Sequence, residues 1–167
     1  QSAAWSWQAG TGVTPLGPAA LFDRLGGTDL TAFDLEMPFL YWADFVFEGV
    51  TNVRGRQAHV FLLYPPADVA SQKPEVGAVR VYFDAEYNGP IQAEQIGPDG
   101  KRLKSVSVLD VKKVREQWIL KSLELRDEET RNKTRFTVTA IAVGVEFSAP
   151  VFEPSGLADA VKAPSRE

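Results

Sequence analysis

His59 is the only histidine in a chain of 167 residues that has no cysteine. Catalysis by a Ser-His pair needs a histidine beside a nucleophile, and protein zinc sites draw most of their ligands from His and Cys. We therefore expect neither site, and no metal. His59 lies in a predicted strand on the parity of Phe61 and Leu63. In one interpretation, His59 contacts a ligand or responds to pH. In the second, it lies at the solvated end of the strand and its imidazole is hydrogen-bonded to a neighbour. We favour the second interpretation.

Three groups of carboxylates have spacings that could suit general acid–base catalysis. Such catalysis needs a desolvated carboxyl group in a cleft, and nothing in the surrounding sequence indicates one. We interpret these groups as solvated surface charges, which usually pair with Lys or Arg on adjacent strands. We therefore expect no enzyme activity. The groups are Asp34 with Glu36, Asp84 with Glu86, and Asp127-Glu128-Glu129.

Charge and composition argue against further classes of function. A net charge of -4 argues against nucleic acid as a partner, because phosphate binding needs a concentrated basic surface. No apolar run approaches the ~18 residues of a transmembrane helix. The glycine-rich stretches at 10–12 and 26–27 lack the strand-GxGxxG-helix setting of a dinucleotide site, so we expect no cofactor.

Six basic residues form a weak positive cluster on neighbouring hairpin segments. The cluster could face an anionic membrane surface or an acidic partner. More often such a cluster is a solvated edge that discourages strand pairing, and this is the interpretation we favour. The residues are Lys101, Arg102, Lys104, Lys112, Lys113 and Arg115.

The run from Tyr41 to Phe147 predicts strands joined by tight turns. Residues 56–64 are apolar on both parities, which predicts a central strand covered on both faces. Asn88-Gly89 predicts a type I′ hairpin turn. The pattern gives seven or eight strands in up-and-down order, a meander. The predicted strands span 41–50, 56–64, 77–87, 91–96, 101–110, 116–126 and 133–147, after a short strand at Trp5 and Trp7.

Only about two short helices are predicted. Thr31 is a good N-cap, and Asp34, three residues later, can reach back to its backbone amide as in a capping box. This helix ends before Pro38. A helical turn is also predicted within residues 18–25, whereas 67–76 is predicted to be a polar loop.

The apolar residues exceed what these helices can cover. A sheet with so apolar a face must be covered by helices, by a partner or by a ligand. Core packing accounts for most of the set, and the surplus predicts a hydrophobic concavity. The candidate lining residues, acting through hydrophobic contact alone, are Trp42, Phe45, Phe47, Phe61, Leu63, Phe83, Trp118 and Phe136.

Five stretches resemble, in order and spacing, the LolA-like family of outer-membrane lipoprotein-sorting proteins. The first, Gly27–Leu35, resembles that family's GT-aliphatic-(S/T)-x-x-D-(L/I) element, and the last resembles its closing x-F-(S/T)-x-x-x-L pattern. The resemblance covers residues 5 to 157. The other four stretches are Val79–Asp84, Gly97–Lys104, Thr134–Val138 and Val151–Leu157.

The resemblance implies a mainly β (α+β) fold, in which a curved antiparallel meander sheet or half-open β-barrel carries short helices over its concave side. It implies a periplasmic protein whose signal peptide has been removed. Family members carry further strands and a helix before the region that begins here at Trp5, so we expect these to be missing. We expect one LolA-like domain over residues 1–157 and a flexible tail over 158–167.

Our leading hypothesis is a non-enzymatic periplasmic protein that holds lipoprotein acyl chains, or another lipid-like ligand, with a possible protein partner in the cell envelope. Each buried CH₂ contributes about 0.8 kcal/mol, so such a carrier needs an apolar interior and few polar contacts. The alternative is a protein-interaction or structural module that uses the face or edge of the sheet and has no ligand cavity. A small hydrolase or isomerase is the least favoured class.

Overall fold

The computed structural model describes residues 4–146 and 153–159, which form nine strands and two short α-helices. Seven strands make one sheet in which each strand pairs antiparallel with the next, and this confirms the predicted meander. The other two strands form a separate hairpin that precedes it. In chain order the strands are β1 (Ala4–Gln8), β2 (Gly12–Leu16), β3 (Phe45–Val53), β4 (Arg56–Leu63), β5 (Ala78–Asp84), β6 (Pro90–Ile96), β7 (Arg102–Val114), β8 (Gln117–Asp127) and β9 (Lys133–Thr137).

Residues 17–44, here called the lid segment, pack against one face of the sheet. The segment contains the helix α1 (Ala32–Glu36) between two 3₁₀ turns, Pro18–Phe22 and Pro38–Tyr41. Because side chains alternate along a strand, the sheet has a lid face and an opposite face. Val79 and Val81 of β5 are fully buried on the lid face, as their alternation with Arg80 and Tyr82 predicts.

The predicted capping box of α1 is confirmed. The Thr31 hydroxyl accepts a hydrogen bond from the backbone N–H of Asp34 at 3.3 Å, and the Asp34 carboxylate accepts one from the backbone N–H of Thr31 at 2.9 Å. Two unpaired helix donors are thereby satisfied. Met37 then adopts a left-handed conformation at φ 48°, and Pro38 follows it. This local sequence therefore accounts for both ends of the helix.

The hydrophobic core lies between the lid segment and the lid face. Phe33 of α1 is its centre, with 1% of its surface exposed and rings of Phe22, Phe39 and Trp42 around it. A second cluster joins Leu30 to the later strands. The buried members of the two clusters are Phe33, Phe39, Leu63, Val76, Val79, Val81 and Ala93, and then Leu30, Val106, Leu123 and Leu125.

The sheet is curved. Arg54, in the turn between β3 and β4, donates a hydrogen bond from its guanidinium to the carbonyl oxygen of Val108 on β7 at 3.4 Å. In a flat sheet β4 and β7 would lie about 14 Å apart, because adjacent strands are about 4.8 Å apart, which is beyond the reach of one arginine. Register shifts at Gly49 and around Asp110 add local twist. The sheet is unclosed, with β3 and β9 at its edges.

Two connections differ from their predictions. Residues 67–76 were predicted to be a loop, but Ala67–Gln72 form the helix α2 after Pro66. Proline fits the start of a helix because its missing N–H would have no intrahelical partner there. Residues 12–16, for which no strand was predicted, likewise form β2 and pair with β1 as a hairpin.

The connection after β5 is longer than the predicted type I′ turn. Asn88 is left-handed at φ 55°, as predicted, but Gly89 is not. The Asp84 side chain accepts hydrogen bonds from the backbone N–H groups of Glu86 and Tyr87, both at 2.9 Å. This Asx-type arrangement ends β5 at Asp84 and leaves residues 85–89 as the loop.

The end of the chain is described in part. β9 ends at Thr137, well before the predicted residue 147, which lies outside the described residues. Of the predicted closing segment, residues 153–157 are described, and Pro154–Ala158 form a 3₁₀ turn. The predicted tail beyond residue 159 also lies outside the described residues.

Candidate ligand-binding site

An open pocket of about 350 Å³ lies on the lid face, beside the turn Pro38–Tyr41. We call it the lid pocket. Small-molecule sites span roughly 300–1,000 Å³, so its volume suits part of a long apolar ligand. Most of its lining is aromatic or aliphatic. The lining residues are Leu40, Trp42, Phe45, His59, Phe61, Leu63, Phe83 and Asn88.

Strand pairing brings the aromatic side chains of the pocket together. Phe45 is opposite Leu63, and Phe47 is opposite Phe61, so all four share one face. The Phe61 ring is central, with ring centroids 5.9 Å from Phe45, 5.2 Å from Phe47 and 5.8 Å from Phe83. The register of three consecutive strands therefore builds a continuous aromatic surface.

This surface is accessible at its β3 end. Phe45 and Phe47 are 54% and 53% exposed. Phe61 and Phe83 are half-buried, and Leu63 beneath them belongs to the core. Apolar area in contact with water is the part of this face that a ligand could still cover.

Five of the eight predicted lining residues lie in the lid pocket, namely Trp42, Phe45, Phe61, Leu63 and Phe83. Phe47 lies beside them through its contact with Phe61. Trp118 and Phe136 lie elsewhere: the Trp118 ring is 6.1 Å from that of Tyr87, and Phe136 pairs with Leu123 on β8.

Three residues of the pocket were not among those predicted. Leu40 comes from a 3₁₀ turn, and Pro38 was the only signal for this turn. Asn88 comes from the lengthened loop after β5. His59 is half-buried, with its ring 6.2 Å from that of Phe47. His59 thus lies at the pocket wall, and its shared parity with Phe61 was the signal in the sequence.

The interpretation of Asp34 as a solvated carboxylate was wrong. Its side chain projects from α1 into the protein, is fully buried, and accepts hydrogen bonds from three residues. Gln95 donates from its amide at 2.8 Å, Lys104 from its ammonium at 3.2 Å, and Thr31 from its hydroxyl at 2.8 Å. A buried charge persists when it is paired and hydrogen-bonded in this way. Asp34 therefore anchors the lid segment.

Asp84 and Asp127 are also buried rather than solvated. Asp84 accepts backbone hydrogen bonds and lies 2.6 Å from the Arg56 guanidinium. The hydrogen bond from the backbone of Tyr87 is the largest cause that holds the pKa of the Asp84 carboxyl below its ordinary value. Asp127 accepts from the backbone N–H groups of Glu129 and Thr130. Each carboxylate is thus committed to a turn, an arrangement that does not suit a general acid.

The opposite face of the sheet is polar. Arg80 donates two hydrogen bonds to Glu48, at 2.6 and 3.1 Å, and Glu94 accepts from Tyr82 and Arg102 at 3.0 and 3.1 Å. Burial, together with the negative charge of Glu94, raises the pKa of Tyr82 to about 12. The aromatic surface of the lid face is therefore backed by a face with many paired polar groups.

A second depression, of about 600 Å³, lies at the other side of α1 and is lined mainly by charged side chains. Its cations are matched by acids: Lys73 lies 2.5 Å from Glu75, and Arg102 lies 2.8 Å from Glu128. Among residues 4–146 and 153–159, no group of three or more His, Cys, Asp or Glu side chains could hold a metal ion.

The predicted basic cluster is divided between two places. Arg102 and Lys104 begin β7 and pair with Glu94 and Asp34. Lys112 and Lys113 lie near the other end of this strand of 13 residues. At about 3.4 Å per residue, the two groups lie roughly 30 Å apart. They therefore do not form one surface.

A membrane-spanning helix needs about 20 mainly apolar residues, and none of the helices in residues 4–146 and 153–159 meets this requirement. None of the curated proteins matches the chain in sequence. A family model described as "Uncharacterized protein" matches residues 12–159, which is most of the chain.

Three solved structures share the fold. A DUF1329 family protein from Desulfovibrio piger has a TM-score of 0.77 and 15% identity over 92% of this chain and 63% of its own. An outer membrane lipoprotein-sorting protein domain from Vibrio parahaemolyticus has a TM-score of 0.78 and 15% identity over 93% and 65%. A LolA superfamily protein from Nitrosomonas europaea has a TM-score of 0.59 and 13% identity over 80% and 58%.

The chain thus spans less than two thirds of the length of each of these structures. At such low identity the likeness is one of fold, and it confirms the mainly β, LolA-like architecture. Because the family model covers most of the chain, the protein belongs to this family of uncharacterized proteins and has the fold of lipoprotein-sorting proteins.

Proposed function

We propose that this protein is a non-enzymatic carrier of the periplasm that binds an apolar chain, of the kind found on lipoproteins, in its lid pocket. The observation that carries the proposal is the aromatic surface of Phe45, Phe47 and Phe61, which remains half open to water on a LolA-like fold. The solved structure described as a lipoprotein-sorting domain supports both the class of ligand and the compartment.

The physical basis of binding is the burial of apolar area. Each CH₂ removed from water contributes about 0.8 kcal/mol, so a chain that buries several of them gains affinity without polar contacts. A chain that leaves the pocket can continue along Phe47 and Val50, which are both exposed on β3. His59 and Asn88 offer polar atoms at the pocket wall.

Native mass spectrometry of the purified protein, followed by organic extraction of anything bound, tests the proposal. We expect a mass adduct that extracts as acyl-containing material. The purified protein is also incubated with a fatty acid or an acylated peptide, at protein concentrations at which an apolar dye saturates its binding site. A mass spectrum without any adduct after this incubation would contradict the proposal.

The edge strand β3 supports a second candidate function, a protein-interaction module. β3 is nine residues long and carries exposed apolar side chains on both faces, including Val46 and Phe47. Its only charged side chain, Glu48, is paired with Arg80. An edge strand with so little charge can accept a strand from another chain. A tight dimer without bound lipid in the same mass spectrum would favour this function.

A further inference from the structure

The lid pocket has an apolar end and a polar end. His59, Phe61 and Leu63 follow one another on the same face of β4, and all three line the pocket. At about 3.4 Å per residue, His59 lies roughly 14 Å from Leu63 along the strand. Leu63 is buried in the core. Phe83, the partner of His59 on β5, precedes the loop that carries Asn88, so the two polar lining residues share one end.

The side chains of His59 and Asn88 have no hydrogen-bond partner among the residues that the structure describes. The His59 ring is half-buried and lies edge-on to the ring of Phe47, at 6.2 Å and 74°. Asn88 is exposed at the rim of the pocket. In a mostly apolar pocket, a few polar groups of this kind fix the orientation of a ligand.

The polar end of the pocket carries donors but no carboxylate. Among the described residues that line the pocket, His59 is the single titratable one. Its strand partners are Val50 on β3 and Phe83 on β5. On the lid segment, Tyr41 and Asp44 are exposed and do not line the pocket. The titratable and charged groups of the other elements around His59 interact in pairs, namely Glu48 with Arg80, Arg56 with Asp84, and Glu86 with Tyr87.

We propose that His59 and Asn88 bind the head of an acyl ligand, through an oxygen acceptor that is a carboxylate or an ester carbonyl. The chain then runs along Phe61 towards Leu63. The inference rests on the proposed function, because it names the head and the direction of the chain that the lid pocket binds. An imidazole can donate in its neutral and its charged form, and the charged form adds attraction for a carboxylate. The Asn88 amide supplies two further donors.

The test is displacement of an apolar fluorescent dye by three ligands that share one chain, namely decanoate, methyl decanoate and decyltrimethylammonium. His59→Phe keeps a ring of similar shape but has no donor. At about pH 5.5, below the ordinary histidine pKa of about 6.5, this variant should bind decanoate about tenfold more weakly than the wild type, which corresponds to about 1.4 kcal/mol. Decyltrimethylammonium has no acceptor, so His59→Phe should bind it at least as tightly as the wild type does.

The dependence on pH distinguishes the two kinds of head. Carboxylic acids ordinarily titrate near pH 4.3, so decanoate stays charged between about pH 5.5 and 7.5. Tighter binding of decanoate than of its ester, falling several-fold over this range, identifies a free carboxylate as the head. His59→Gln keeps a donor but cannot become charged, and its binding should then not vary with pH. Equal binding of acid and ester, both weakened in His59→Phe, identifies an ester carbonyl.

Two further variants show whether the effect belongs to this end of the pocket. Asn88→Gly removes the amide and tolerates the left-handed φ of 55°, and it should weaken decanoate binding about threefold. The matched control is Gln57→Leu, which alters an exposed polar side chain on the face of His59 but outside the pocket lining. This control should bind all three ligands as the wild type does. Urea denaturation confirms that each variant is folded.

Two results would overturn this inference alone. One is that His59→Phe binds decanoate and its ester as tightly as the wild type does. The other is that Gln57→Leu weakens their binding as much as His59→Phe does, which would mean a general effect on the sheet. In both cases the proposed function stands, because the ligands still displace the dye. If none of the three ligands displaces the dye, the proposed function is contradicted together with this inference.

Discussion

The Nζ atom of Lys104 on β7 lies 3.2 Å from the carboxylate of Asp34 in α1, and the two residues are 70 positions apart in the chain. The same ammonium donates to the backbone oxygen of Asp29 at 2.6 Å. One side chain therefore ties the lid segment to the sheet at two points. The ion pair lies between α1 and the sheet, and the Asp34 side chain is fully buried there.

Asp34→Asn should destabilise the protein by about 3 kcal/mol, because it leaves the Lys104 ammonium without its counter-charge in a largely buried position. The free energy of unfolding in urea measures the effect. Glu36→Gln changes an exposed carboxylate of the same helix and should stay within about 0.5 kcal/mol of the wild type. Equal changes in the two variants would mean that Asp34 is not an anchor.

Phe33→Ala should cost about 3–5 kcal/mol, because it removes the ring that three aromatic rings of the lid segment surround and leaves a cavity. Chemical denaturation followed by tryptophan fluorescence reports the loss. Leu35→Ala, two residues on and 38% exposed, is the matched control and should cost much less. A similar cost for both would place the core elsewhere.

Asp84 should make stability depend on acidity. Because its folded pKa is lowered, chiefly by the hydrogen bond from Tyr87, Asp84 stabilises the protein above the ordinary aspartate pKa of about 3.9. This contribution is lost as the pH falls through the lowered folded value. The wild type should therefore exceed Asp84→Asn in stability at neutral pH, and the difference should shrink in acid. Urea midpoints over a pH series measure it, with exposed Asp44→Asn as the control; a difference that stays constant would be evidence against this linkage.

The raised pKa of Tyr82 predicts that the stability of the protein falls as the pH rises in the alkaline range. Its folded pKa is raised to about 12 by burial and by Glu94, so its contribution is complete below the ordinary tyrosine pKa of about 10. The contribution is lost as the pH rises through the folded value. Tyr82→Phe should therefore reduce the loss of stability in this range. Ultraviolet titration of the wild type against the variant should give a difference curve centred near pH 12, and a curve centred near 10 would contradict the burial.

Phe47→Ser should weaken uptake of an acyl-containing ligand by the lid pocket more than it weakens folding, because the ring is 53% exposed and contributes ligand contact rather than core packing. Displacement of an apolar fluorescent dye by a fatty acid measures the uptake. Val46→Ser is the matched control, since Val46 is 50% exposed on the same strand but points to the opposite face. Equal loss of uptake in both variants would contradict the assignment of the lid pocket as the binding site.

Local patterns predicted much of the fold. The capping box of Thr31 and Asp34, and the alternation of Val79 and Val81 with Arg80, each depend on residues close in sequence. A meander pairs each strand with the next, so correct hairpins give the correct strand order. The turn after β5 was mispredicted because the Asp84 side chain competes for the backbone N–H groups of the loop.

The sequence by itself determined the β meander, the position of α1, and the apolar character of the surface that carries Phe45 and Phe61. Only the tertiary structure decided which side chains meet. The sequence pattern predicts a surface carboxylate at Asp34, whereas the fold buries it against Lys104. The predicted basic cluster divides because its members lie near the two ends of β7, a strand of 13 residues. The physical reason is that periodicity sets the face on which a side chain lies, whereas burial and pairing depend on contacts between residues far apart in the chain.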